Sequence, residues 1–215
     1  MMNGILALVL TAVALLGGIR VLMAWKWWNG KEEPLHRIWL DKKMYLASVI
    51  YGIVEVILLL WGNSRFSAGG AAVRCFDMLI TYLLLAAVDI RKKIVPNEIL
   101  LCYLAGQLLL AAAFTEPESW ITLWIGGMIL SLLLCLLVWF SKGGLGLGDV
   151  KLLGITALTA GWTYTLQIVC LALIPSFVYS LWALLVCHRE RKMEIPFVPF
   201  LLIGMIMQFC WQYMG

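Results

Sequence analysis

Residues 120–140 read WITLWIGGMILSLLLCLLVWF and carry no charged side chain. A helix needs about 20 apolar residues to cross the hydrocarbon of a bilayer. This stretch is long enough, and it is apolar on every side, as expected of a helix surrounded by lipid. Strands of a membrane barrel alternate polar and apolar residues, and this stretch does not. Backbone polar groups in lipid must be satisfied internally, so helix is the remaining solution.

Working outward in both directions, the same reading predicts helices near 3–24, 44–61, 75–89, 98–114, 150–163, 164–187 and 195–214. The short helix at 150–163 meets its successor at Ala160-Gly161-Trp162. Composition agrees: 63% of the residues are hydrophobic, against about 45–50% in a soluble domain. The expected fold class is all-α, a polytopic membrane helix bundle of about eight transmembrane helices. It forms a single domain over 1–215, with a first helix and short loop at 1–43 and the main bundle at 44–215. The first apolar run lacks a basic start and a small-x-small cleavage site, so it reads as a retained helix and not a signal peptide.

Loop charges orient the bundle. One alternate set of loops holds Lys26, Lys31, Arg37, Lys42 and Lys43, then Arg91, Lys92 and Lys93, then Lys142 and Lys151, then Arg189, Arg191 and Lys192. The opposite set holds only Arg65 and Arg74. Positive loops stay cytoplasmic, so the first set faces the cytoplasm and the two chain ends face outward. Arg20 reads as lying near the inner end of the first helix and Asp77 as a solvated residue near the outer end of the third. The net charge of +4 is spread over short loops, with no nucleic-acid patch. Cys75, Cys102, Cys135, Cys170, Cys187 and Cys210 show no CxxC spacing and read as buried small hydrophobes, so no metal site is expected. Trp25, Trp27, Trp28, Trp39, Trp61, Trp120 and Trp211 fall near expected interfaces, where indoles favour the headgroup level.

Two acids carry the candidate chemistry. Asp89 ends the third helix in Val88-Asp89-Ile90-Arg91. Asp149 follows Gly143-Gly144-Leu145-Gly146-Leu147-Gly148 and opens the sixth. The topology puts both at the cytoplasmic side, at one depth. Each has a structural alternative: Asp149 as a helix N-cap, Asp89 paired with Lys92 or Lys93 one turn on. Taken together, beside a glycine run, they point to chemistry. Two adjacent carboxyls cannot both ionise easily and share one proton, which suits peptide hydrolysis by a base and an acid. Helix dipoles favour ionisation of Asp149 at an N-terminus over Asp89 at a C-terminus, so Asp149 is expected to start as base and Asp89 as acid.

At these residues the chain resembles the type IV prepilin peptidases, GxGD-type intramembrane aspartic proteases. Gly144-Leu145-Gly146-Leu147-Gly148-Asp149-Val150-Lys151 is similar to that family's GxGD signature. Asp89 with its trailing Pro96-Asn97 resembles the first aspartate motif, and Ile195-Pro196-Phe197-Val198-Pro199-Phe200 resembles the proline-phenylalanine motif opening the last helix. The resemblance implies Asp89 and Asp149 as a catalytic dyad in the bundle over 44–215. It implies a multi-pass protein of the bacterial cytoplasmic membrane. The implied substrate is a prepilin or pseudopilin with a basic leader and a hydrophobic helix, cut after a glycine on the cytoplasmic side. No cofactor or metal is implied for proteolysis. Many relatives also methylate their product through a cytoplasmic domain with two zinc-binding CxxC pairs. The stretch 26–43 is short and has no cysteine, so the resemblance is to a short form without N-methyltransferase activity.

Supporting roles are assigned to Gly146 and Gly148, which allow close backbone approach, and to Lys151, which attracts substrate carboxylates or marks the membrane boundary. Pro96 and Asn97 stop one helix and start the next. Pro196, Phe197 and Pro199 open the last helix or hold an extended strip against substrate. Glu55 is a buried acid without an obvious partner; His36 and His188 lie in charged loops. The alternative reading is a membrane transporter, or a pilus or secretion assembly factor, using the acids for protons or cations. Acids near one face and the lack of an inverted repeat weigh against it. There is no GxSxG or HExxH. The particular substrate, the pathway and the oligomeric state are not written in the sequence.

Overall fold

The computed structural model describes residues 2–29, 46, 49–54, 57, 69–114, 117–140, 146–185 and 195–214. Among these residues the regular structure is α-helix, and no strand occurs. Seven helices are bounded within them: α1 (Met2–Asn29), α2 (Gly69–Lys92), α3 (Asn97–Phe114), α4 (Pro117–Phe140), α5 (Leu147–Ala160), α6 (Trp162–Leu185) and α7 (Val198–Met214). Residues 46, 49–54 and 57 are also helical, and the rest of the helix expected at 44–61 lies outside the described residues. So do Glu55, His36, His188, Cys187 and most of the charged loops.

Five helices contain stretches long and apolar enough to cross a membrane: Val9–Trp28, Ala71–Lys92, Asn97–Phe114, Ile121–Phe140 and Trp162–Leu185. The protein is therefore an all-α bundle of the polytopic membrane type. α5, with 14 residues, is shorter than these spans. Its junction with α6 falls where expected. Gly161 adopts φ 97°, a left-handed value that suits glycine, and its N–H closes the helix on the carbonyl of Ala157.

One end of the bundle gathers the C-termini of α1 and α2 and the N-termini of α3, α5 and α7: Arg91 meets Trp28, Lys151 meets Asn97, and Val198 meets Asp89. Basic residues mark this end: Lys26 in the last turn of α1 and Arg91 and Lys92 in the last turn of α2. The Arg91 guanidinium lies 4.6 Å from the ring centre of Trp28, tying the two helices where they finish.

The core is built from Met78, Tyr82, Leu85, Ile99, Tyr103, Leu152, Leu153, Ile168, Val198 and Leu201 with their neighbours. Helix α2 packs on α1, α3 and α7, and α5 on α3, α4 and α6. Small residues allow close crossings, as membrane helices require: a Cβ at Gly127 would lie 2.7 Å from the carbonyl oxygen of Ala157. Away from the core, Ile125, Leu132, Phe140, Phe177 and Trp211 are exposed. They form the apolar outer surface that lipid covers.

The structure corrects two expectations. Arg20 is not near the end of its helix, and Asp77 is not solvated; both are fully buried and form an ion pair. Arg20 also donates to the hydroxyl of Thr81, and Gln107 donates to Asp77 Oδ2 at 2.7 Å. Partners on three helices make a charge tolerable at this depth. The cysteines are not uniformly buried either. Cys75 is buried and Cys102 partly so, whereas Cys135, Cys170 and Cys210 face outward, where the lipid-facing surface accepts a small apolar side chain as readily as the core does.

Candidate active site

Asp89 stands in the last turn of α2 and is 5% exposed. After it the helix stops: Lys93 takes φ 54°, and its N–H bonds to the carbonyl of Asp89 at 2.8 Å. The chain then runs through Ile94 and Val95 to Pro96, whose carbonyl accepts the first bond of α3 from Leu100. Pro96 therefore sits at the N-cap, where its missing N–H costs nothing, and Asn97 is the first helical residue.

Asp149 lies in the first turn of α5. It is not the N-cap. That position is held by Gly146, with no side-chain cap. Two glycines shape this helix start. A Cβ at Gly146 would stand 3.0 Å from Asp149 Oδ2, so glycine leaves room for the carboxylate to fold back over the helix end. A Cβ at Gly148 would come within 2.8 Å of the Val95 Cβ, so glycine lets the start of α5 press against the segment that follows Asp89. The same two segments are joined by Lys151, whose Nζ donates to Asn97 Oδ1 at 3.0 Å. Lys151 thus points away from Asp149, as its two-residue offset predicts.

The last helix completes the site. Phe197 caps α7 through its carbonyl, which accepts from Phe200 and Leu201. Pro199 falls in the first turn, where no intrahelical amide bond is required. The N–H of Val198 has no partner inside its helix, and it donates to Asp89 Oδ2 at 3.1 Å. Asp89 therefore caps a helix that begins more than a hundred residues downstream. The carboxylate thereby satisfies one of the donors that a helix start leaves without an intrahelical partner. Sequence reasoning missed this amide, because a backbone donor leaves no mark on residue type.

Asp149 lies outside the five long spans. Burial, and after it the charge of Asp89, push its carboxyl up to about 7. The two acids, sixty positions apart in sequence, are thus close enough to act on each other electrostatically. Gly146, Gly148, Lys151, Pro96, Asn97, Phe197 and Pro199 all lie around them at the basic end of the bundle, with Pro196 in the segment leading into α7. Among the described residues no cluster of three or more His, Cys, Asp or Glu stands ready for a metal ion.

The protein is a polytopic helix bundle that brings two aspartates from different helices to one end, one of them on a glycine-built helix start. The pattern of the type IV leader peptidase family matches residues 76–184, and the chain belongs to that family. The chain is 29% identical to a prepilin leader peptidase/N-methyltransferase of Pectobacterium carotovorum subsp. carotovorum, over 85% of this chain and 65% of that protein. It is 26% identical to the Bacillus subtilis protein of the same name, over 62% of this chain and 54% of that one. A third, from Aeromonas salmonicida, is 24% identical over 88% of this chain and 65% of its own length. The matches thus span less than two thirds of these relatives. No solved structure matches significantly.

Proposed function

We propose that this protein is an aspartic endopeptidase of the bacterial cytoplasmic membrane that removes the basic leader from prepilins or prepilin-like proteins, cutting after a glycine on the cytoplasmic side. The observation that carries this reading is the approach of Asp89 and Asp149 at the basic end of the bundle, inside the segment that matches the family. The substrate is a hydrophobic helix preceded by a charged leader. An apolar groove of about 630 Å³ between α6 and α7, lined in part by Pro175, Tyr179, Trp182 and Phe200, opens beside the helix start that carries Val198.

The hydrogen bond from Val198 to Asp89 and the raised Asp149 carboxyl support base and acid roles opposite to those expected from the dipoles of the aspartates' own helices. In this reading Asp89 is the ionised member. It takes a proton from water as the water oxygen bonds to the scissile carbonyl carbon. Asp149 holds its proton toward the carbonyl oxygen and transfers it there as the tetrahedral intermediate forms. The C–N bond then breaks. The leaving amine takes the proton gained by Asp89, and the hydroxyl proton of the intermediate returns to Asp149.

Methyl transfer is not part of this proposal, although the relatives carry it in their names. The stretch 26–43 has no cysteine with which to build a four-thiolate zinc site. The test is co-expression with a candidate prepilin. Leader removal on a gel must be lost in Asp89→Asn and in Asp149→Asn with both variants still in the membrane; substantial activity in either sinks the dyad. Mass spectrometry of the product, with S-adenosylmethionine supplied, should find an unmodified amine.

A further inference from the structure

Seven residues before Asp89 on α2 stands Tyr82, and seven residues after Asp149 on α5 stands Thr156. Seven residues are two helical turns, so each pair shares a face, about 10 Å apart along the axis. Helix α2 runs toward the basic end and α5 runs away from it. Tyr82 and Thr156 therefore meet two turns below the level at which the aspartates meet. Their hydroxyl oxygens are 2.8 Å apart. The hydroxyl of Tyr103, on α3, is 3.2 Å from the same Thr156 oxygen. Thr156 donates its own O–H to the carbonyl of Leu152 at 2.9 Å. Its lone pairs are thus left to accept from the two tyrosines.

All three side chains are fully buried. The rings of Tyr82 and Tyr103 meet edge to face, with centres 6.4 Å apart. The helices that carry the aspartates pack mainly on other neighbours, α2 on α1, α3 and α7 and α5 on α3, α4 and α6. The Tyr82 hydroxyl is a polar link between them, and the Tyr103 hydroxyl ties the same Thr156 to α3. Turning α5 by one residue would swing the Thr156 oxygen by about 100° and break the link, and it would carry Asp149 out of line with Asp89 by the same rotation.

We propose that Thr156, held by Tyr82 and Tyr103, is a positioning residue that sets the register of α5 against α2 and thereby the alignment of the two carboxyls. Its effect on turnover rests on the protease reading; its effect on register does not. The test uses the full chain in lipid nanodiscs, with a synthetic leader-plus-helix peptide as substrate. Thr156→Val keeps the shape and removes the acceptor, and Thr156→Ser keeps the acceptor. Misalignment of reacting groups by about an ångström lowers kcat by roughly tenfold to a hundredfold. Thr156→Val should therefore show that loss with KM unchanged, and Thr156→Ser should restore kcat. In parallel, cysteines replacing Asp89 and Asp149 in a cysteine-free background are joined by a short bifunctional thiol reagent. Their cross-linking yield should fall severalfold when Thr156→Val is added and hold with Thr156→Ser. An unchanged yield with Thr156→Val, or an equal fall with Thr156→Ser, overturns the proposal whether or not the peptide is cut. If the unaltered chain does not cut, the protease reading fails and the yield alone decides the register. Should Thr156→Val not fold, Tyr82→Phe takes its place, since it leaves Thr156 bonded to Leu152 and Tyr103.

Discussion

The carboxylate of Asp89, at the end of α2, accepts the backbone N–H of Val198, the first residue of α7, at 3.1 Å. This contact joins two segments distant in sequence. It gives the opening of the last helix a chemical role, because the Val198 amide, first in its helix and so without an intrahelical acceptor, faces an acid on another helix.

Val198→Pro tests that role. Proline suits the first helical position, so the fold should persist while the donor is lost. A hydrogen bond to a charged group contributes about 1.5–3 kcal/mol, so kcat should drop roughly tenfold to a hundredfold. Leader cleavage kinetics would measure it. Full activity in Val198→Pro would mean that the amide does not hold Asp89 in its working state.

The pH profile tests the reversed roles. Asp149 is raised from 3.8 to about 7, by burial first and by the charge of Asp89 second. It is proposed to work protonated, so cleavage should fall as pH rises through about 7, approaching about tenfold per pH unit well above it. The sign for stability is the same. A carboxyl whose pKa is raised in the folded state contributes stability that is fully present below 3.8 and lost as pH rises through about 7. Thermal melts across this range should slope downward in the unaltered protein and flatten in Asp149→Asn.

The glycines make a steric prediction. Gly148→Ala places a Cβ against Val95, so activity should fall at least about tenfold as α5 is pushed from the Asp89 segment. Val95→Gly in the same chain removes the colliding carbons and should recover most of the loss. In Gly146→Ala the collision is with the Asp149 carboxylate itself, so Val95→Gly should bring no recovery. A double-mutant cycle on cleavage rates separates the cases. Equal rescue of both would contradict the assigned contacts.

The Arg20–Asp77 pair is tested by stability. Removing one partner leaves a buried charge uncompensated and costs about 3–5 kcal/mol. Asp77→Leu and Arg20→Leu should each lower the thermal midpoint strongly, and the double variant Arg20→Leu/Asp77→Leu should be more stable than either single one. Counting about 1.5 Å per residue along α2, Asp77 lies roughly 18 Å from Asp89, so the double variant should retain cleavage. Loss of cleavage in a well-folded double variant would join the pair to the catalytic site.

The spans were legible in the sequence because hydrophobic length is a local property: 120–140 marks a membrane helix whatever surrounds it. Asp89 and Asp149 were legible as a candidate pair because loop charge and glycine spacing put both at one end of their helices. The rotation of those helices was not legible. A helix apolar on every side carries no stripe to say which face meets a neighbour, and that rotation decided that Arg20 and Asp77 meet in the core. It decided too that Tyr82 and Thr156 meet two turns below the acids, although the seven-residue spacing from each aspartate was a signal that could have found them. The electrostatic character of Asp89 was likewise beyond sequence reading. Its own helix presents it with a negative dipole end, and only the tertiary fold brings up the N-terminus of α7 with an unpaired amide. Hydrogen bonds of that kind are made by backbone atoms identical in every residue, so geometry alone assigns them.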